Sequence, residues 1–243
     1  MLNIKVITVG HVPRFNKKKI EKWKSKLFKI NGNIEDHTLP SNSDGCNWEF
    51  TDENLKTNIP NNKIEFGFTI AIVNCSLEQD YYSRIINDNL VVISFYPIQQ
   101  ILEDQNIPLE NVVLRLIYAY CLGYLSSNEQ ISKSISIRNF THDETKGCLY
   151  DMTGIVRDIV PSCHNPIICS DCLEKMKKNR VSIDKLNIAQ NEIKKIKKEL
   201  FYNLIDISKK HRVASFIIIT IITSILSYII TFIFNIIIGL KIS

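Results

Sequence analysis

This sequence lacks an even complement of cysteines that could pair off. Its seven argue against the disulfide framework of a small secreted domain and for a reducing compartment. It also lacks the interleaved aromatic and basic surface of a nucleic-acid binder, so no nucleic-acid partner is expected. The formal charge of +5 is regional. Residues 174–212 carry twelve Lys and Arg against five Asp and Glu, and the rest of the chain is near neutral. No signal peptide is expected either, because MLNIKVITVG is too short an apolar run and Lys5 interrupts it.

The most informative absence is that of charge after Ala214. The run SFIIITIITSILSYIITFIFNIIIGL has none until Lys241. At about 1.5 Å per helical residue it is long enough to cross a hydrocarbon core of about 30 Å. Two shorter spans are excluded, since each half is too short to cross and no polar turn divides them. The Ser and Thr side chains within the run can bond back to the helix's own carbonyls. Lys209, Lys210, His211 and Arg212 precede the run and Lys241 alone follows it. The positive-inside rule then places everything before the helix in the cytoplasm, which predicts a single-pass, tail-anchored membrane protein. Membrane lipid is the expected partner, an anionic leaflet beside the basic segment in particular, at about 1 kcal/mol per Lys or Arg.

What is present is concentrated in residues 141–178, THDETKGCLYDMTGIVRDIVPSCHNPIICSDCLEKMKK, which hold four of the cysteines and two of the five histidines. Cys169 and Cys172 have the spacing that lets two thiolates of a tight turn face one ion. His142 and Cys148 complete a shell of one imidazole and three thiolates, the composition of structural zinc. Cys163 or His164 is an alternative fourth ligand, five or six residues upstream of Cys169. A different reading treats the cysteines as small buried hydrophobes, which accounts poorly for the paired spacing. Gly147 supplies the tight turn a knuckle requires. Asp143, Glu144, Asp151 and Asp158 read as loop residues or as partners orienting His142.

Upstream, residues 2–9 are nearly continuous in β-branched side chains and predict a buried strand. Residues 17–30 place Ile20, Trp23, Leu27 and Ile30 at helical spacing, predicting an amphipathic helix that Asn31-Gly32-Asn33 stops. The polar stretch to residue 62 predicts a loop with one short strand around 46–50, and His37 there reads as solvated. Strands are predicted at 63–74 and 90–94, with a short helical turn at 77–86 between them and a helix at 97–102 after them. A longer helix spans 108–126, with Pro108 in its first turn and Val112, Leu116, Ala119, Leu122 and Gly123 facing inward. The alternation predicts a layered α/β or α+β arrangement.

Strand, strand, long helix and then a Cys-rich knuckle ending in Ile168-Cys169-Ser170-Asp171-Cys172-Leu173 resemble the archaemetzincins, compact zincin-fold metallopeptidases with a structural zinc beside the catalytic one. The resemblance covers residues 64–178. It implies that the long helix should carry His-Glu-x-Gly-His, but the corresponding residues are Tyr120-Cys121-Leu122-Gly123-Tyr124. Leu122 and Gly123 match and every catalytic position departs. Phenols with a pKa of about 10 do not replace two imidazoles, nor a thiol a carboxylate base. On this resemblance the chain is a pseudoenzyme, more an inactive metallopeptidase than an active one.

The fold expected is therefore α+β, an α/β-like layered sheet with helices, zincin-like, followed by a zinc knuckle, a helical stalk and one transmembrane helix. The parts are a zincin-like domain at 1–140, the knuckle packed on it at 141–180, the stalk at 181–212 and the span at 213–240. In the stalk Ile183, Leu186, Ala189, Ile193, Ile196, Leu200, Leu204 and Ile207 recur at threes and fours after a capping Ser182. That pattern suits a short coiled coil and a homo-oligomer, and equally an amphipathic helix packed on its own domain or lying on lipid. Three functions follow. The first is a membrane-anchored, zinc-stabilised scaffold that binds or senses an unidentified ligand or protein. The second is a membrane effector whose oligomers disturb the bilayer. The third is an active metal hydrolase using His142 and Glu144.

Overall fold

A computed structural model describes residues 1–60, 66–127, 129–131, 141–142, 145–151 and 155–242, with side chains to residue 236. Strand β1 (Leu2–Val9) lies mid-sheet, as its apolar run requires. It pairs in parallel with β4 (Phe68–Val73) at Ile4↔Phe68 and Thr8↔Ile72. β4 pairs in parallel with β6 (Leu90–Ser94) at Ile70↔Val91. All residues of β4 and β6 are buried, as in strands covered on both faces. The pleat sends alternate side chains to two cores. Phe68, Ile70 and Ile72 join Val91 and Ile93 on one side, while Ala71 and Val73 join Ile7, Val9 and Val92 on the other.

The other edge of β1 takes two short strands in succession. β2 (Phe28–Ile30) pairs with its first half and β3 (Glu35–His37) with its second, both parallel. This corrects the helix expected over 17–30. Helix α1 (Lys17–Glu21) stops after one turn. Ser25 Oγ then accepts from the amides of Leu27 and Phe28, a local bond that competes with helix. Phe28 and Ile30 are buried with Lys29 exposed between them, the period of a strand. An unpaired edge of β1 wins over a helical pattern that Ile20, Trp23, Leu27 and Ile30 satisfied by chance.

Around residues 46–50 the expected strand is a turn instead, closed by Gly45 N to Glu49 O at 2.9 Å, with one bridge from Phe50 to Leu77. Helix α2 (Asp52–Asn58) follows. Thr51 caps it and Asp52 and Glu53 fill its first turn, an N-terminal signature overlooked in a polar stretch. The helical turn expected at 77–86 shrinks to one turn at Glu78–Asp80. Strand β5 (Ser83–Asn87) then runs antiparallel to β6 on the sheet edge. Asn89, at φ 58°, turns the hairpin, a conformation Asn tolerates well. The sheet order is β2-β1-β4-β6-β5, with β3 beside β1. Of the strand expected over 63–74, residues 61–65 lie outside the described residues.

Helix α3 (Gln99–Asp104) and helix α4 (Leu109–Ser126) fall where expected. Pro108 stands at the cap of α4 rather than inside its first turn. Every residue from Leu109 to Gly123 is buried, so α4 is a central helix rather than one with a single inward face. Helix α7 (Ile183–Ile193) corrects the stalk. The continuous helix expected to Ile207 ends at Ile193, and Leu186, Ala189, Ile193 and Ile196 are buried in the domain core. Glu192 secures it, accepting from Tyr118 Oη at 2.7 Å, Ser25 Oγ at 2.6 Å and Lys26 N at 2.8 Å.

The chain divides into two compact units, Met1–Lys197 and Lys198–Ser243. The second consists of helix α8 (Leu200–Lys210) and helix α9 (Arg212–Ile242). Within α9, Arg212–Ile236 is long and apolar enough to cross a membrane. Thr220, Ser224 and Thr231 hydroxyls bond carbonyls one turn back, so these polar groups are satisfied within the helix.

Candidate metal centre

Between α4 and the end of the first unit the chain forms helix α5 (Ile159–Cys163) and helix α6 (Ser170–Lys178). Two isolated bridges, His142↔Asp151 and Cys148↔Ile167, bring distant stretches together beside the start of α6. Gly147 turns the chain at φ 90° ahead of Cys148, a conformation that favours glycine. Cys169 is the N-cap residue of α6, and its sulfur accepts from Cys172 N at 3.5 Å.

The four side chains selected from the sequence, His142, Cys148, Cys169 and Cys172, converge. Their ligand atoms all lie within 4.8 Å of one another. Cys148 Sγ and Cys172 Sγ are 3.9 Å apart, and Cys169 Sγ is 3.4 Å from His142 Nε2. A tetrahedral zinc would set these edges at about 3.8 Å and about 3.5 Å. The group thus fits a metal ion. Cys148 and Cys172 are buried and His142 and Cys169 half-buried. The hydrogen bond from Cys172 draws the Cys148 thiol well below its ordinary range, and the same bond pushes Cys172 far up. Two thiolates so close and buried repel one another, and a divalent cation between them would relieve that repulsion.

Cys163 and His164, the alternative ligands, are outside the converging four. Cys163 is buried in α5, where its carbonyl accepts from Asn111 Nδ2 at 2.9 Å. His164 Nε2 lies 3.3 Å from Asn165 Nδ2. Asp143 and Glu144 are outside the described residues. Asp158 is an ion-pair partner of Lys146 at 2.9 Å. Asp151 is buried beside the bridge to His142.

One face of α4 braces the segment that carries the converging side chains, a role that no residue pattern marks in advance. Asn111 holds Cys163 O. Arg115, one turn on, donates from Nη2 to Leu149 O and Asp151 O, both at 3.3 Å, and from Nη1 to Tyr82 Oη at 2.9 Å. One turn further, Ala119 O accepts from Tyr150 Oη at 2.9 Å. Arg115 is fully buried. Although burial opposes its charge most strongly, Tyr82, Cys163 and Asp151 turn the balance and raise its pKa. The positions are spaced by four, one stripe of a helix, but an Arg in an apolar run carries no mark of what it holds.

Tyr120 and Tyr124 of α4 have partners of their own. Tyr120 Oη is 2.7 Å from Ser83 Oγ, and the ring of Tyr124 lies 6.1 Å from that of Phe68. Burial pushes the Cys121 thiol up to about 12.

None of the seven cysteines is in a disulfide, and their settings predict an order of reactivity. Cys46 is exposed. Burial raises Cys75 to about 11 and Cys163 to about 12. With maleimide at neutral pH, Cys46 is expected to react first. A strong chelator should then expose Cys148, Cys169 and Cys172 and, as the unit loses its fold, Cys75, Cys121 and Cys163. Mass spectrometry of labelled peptides reads this order. No family model matches the chain, and neither a curated protein nor a solved structure does.

Proposed function

We propose that this chain is a single-pass membrane protein whose Met1–Lys197 unit is a zinc-stabilised, catalytically silent scaffold in the cytoplasm that works by binding a ligand or protein. The observation that carries the reading is the convergence of His142, Cys148, Cys169 and Cys172 on one point. Zinc there would be held by three thiolates and one imidazole. That shell leaves no open position for water, and its negative charge makes the ion a weak Lewis acid, so the metal supplies folding energy rather than catalysis.

The likeness to the archaemetzincins is supported by the element order, with strands, a long helix and then a knuckle ending in Cys-x2-Cys. An inactive form is supported by Tyr120 and Tyr124, which are engaged in hydrogen bonding and packing. The membrane assignment is supported by the length and apolarity of Arg212–Ile236. Its orientation rests on Lys209, Lys210 and Arg212 before the span.

The test is elemental analysis of the full chain in detergent, for the parent and for Cys169→Ser, His142→Ala and Tyr120→Phe. One zinc per chain is expected in the parent and in Tyr120→Phe, none in Cys169→Ser, and weakened retention in His142→Ala. Two metals per chain, or one that depends on Tyr120, would return a catalytic site to the long helix and overturn the proposal.

A further inference from the structure

Helix α8 exposes a set of large apolar side chains. Leu200, Phe201, Leu204 and Ile207 are 73%, 66%, 54% and 48% exposed, and α8 buries no residue at all. At 3.6 residues per turn these four fall within about 120° of arc on one side of the helix, with Tyr202 and Asp206 on the opposite side and Asn203 and Lys210 at the edge of the stripe. A soluble surface does not keep such a stripe uncovered.

What covers it is indicated by the chain itself. One residue, His211, separates α8 from α9, and its backbone leaves helical geometry at φ −120°, ψ 57°. The apolar stripe therefore ends within a turn of the candidate span. Lys209, Lys210 and Arg212 flank the break. The acid on the polar face, Asp206, is neutralised by Lys198 Nζ at 2.6 Å, and Glu199 lies at the opposite end of α8 from the basic cluster. An apolar face, a net basic terminus and direct continuity with the span together describe a helix at the headgroup level of a bilayer.

We infer that α8 is an interfacial helix seated on an anionic lipid surface, with Leu200, Phe201, Leu204 and Ile207 in the acyl boundary and Lys209, Lys210 and Arg212 among the headgroups. The inference rests on α9 being the membrane span. It assigns α8 the role of a fixed foot, where a coiled-coil stalk would stand away from the membrane.

The test places single tryptophans in the full chain, reconstituted in phosphatidylcholine vesicles with or without phosphatidylserine. The lipids are brominated either near the glycerol or near the bilayer centre, and the signal of Trp23 and Trp48 is subtracted using the parent. Phe201→Trp is expected to be quenched mainly by the shallow bromines, more strongly with phosphatidylserine, and less so at high salt. Tyr202→Trp, on the opposite side of the helix, should be quenched much less, and Tyr228→Trp mainly by the deep bromines. If Phe201→Trp escapes quenching while Tyr228→Trp does not, α8 stands off the membrane and the inference fails while the span survives. Equal quenching at 201 and 202, or deep quenching at 201, also overturns it. Equal quenching without phosphatidylserine overturns the anionic surface. If Tyr228→Trp is untouched by any bromine, the membrane reading itself fails.

Discussion

A Cys172→Ser chain is expected to lose its metal and, with it, the fold of the Met1–Lys197 unit. The side chain is fully buried, 3.9 Å from Cys148 Sγ and beside the cap of α6, so a serine hydroxyl there is both a poor ligand and a poor core group. Structural zinc contributes about 10–16 kcal/mol of apparent binding energy, against a net domain stability of about 5–15 kcal/mol. Subtracting the first from the second leaves nothing to hold the core. Zinc content should fall to background, near-UV circular dichroism should flatten, and the thermal transition should broaden or vanish. Chelation of the parent should have the same effect. Cys46→Ser, at an exposed position, should change none of these. A Cys172→Ser chain that melts like the parent would show the knuckle to be ornamental to the fold, and the proposed zinc with it.

Arg115→Met is expected to cost about 3 kcal/mol or more, the scale for stripping a buried charge from its partners and leaving their polar atoms unpaired. Methionine fills much of the volume, so the loss would report hydrogen bonds rather than a cavity. The carbonyls of Leu149 and Asp151 would lose a shared donor inside the core. These residues adjoin Cys148 in sequence, so zinc should still bind but about 10- to 100-fold more weakly, as when a group supporting a ligand is removed. For a unit of this size the melting temperature should drop by on the order of 10 °C. Urea denaturation and competition with a metal indicator measure the two effects. Arg14→Met, an exposed guanidinium paired with Glu103, should shift stability by under about 1 kcal/mol. If the two variants behave alike, Arg115 does not brace the knuckle.

The converging group was legible because a Cys-x2-Cys pair with a further cysteine and a histidine upstream is a metal-ligand spacing. Spacing alone left Cys163 and His164, nearer in sequence, open as the fourth ligand, and the fold brings in His142 and Cys148 instead. The central strands were legible for a similar reason, since LNIKVITV and FTIAIV are apolar on both faces. What escaped was set by tertiary competition. Residues 17–30 carry a helical pattern, yet β1 has an edge to fill and Phe28 and Ile30 fill it. Leu186, Ala189, Ile193 and Leu200 read as one stripe, yet the domain buries the first three and leaves the fourth exposed. Periodicity shows that a face is apolar and is silent about which surface covers it. Arg115 was invisible for the converse reason, because its partners are carbonyls and every residue has one.

The position of α7 also bears on how the chain is made. The carboxylate of Glu192 that closes over Tyr118 is supplied 74 positions after that tyrosine and 167 after Ser25. On the ribosome Tyr118, Ser25 and Lys26 must wait for this partner until α7 emerges. The apolar segment of α9 begins about twenty residues later. At a synthesis rate of about 5–20 residues per second, that leaves about one to four seconds between the last piece of the core and the first piece of the span. With α9 as the proposed span, folding of the first unit and capture of the second by targeting factors nearly coincide, and a slow-closing core would meet the membrane machinery unfinished.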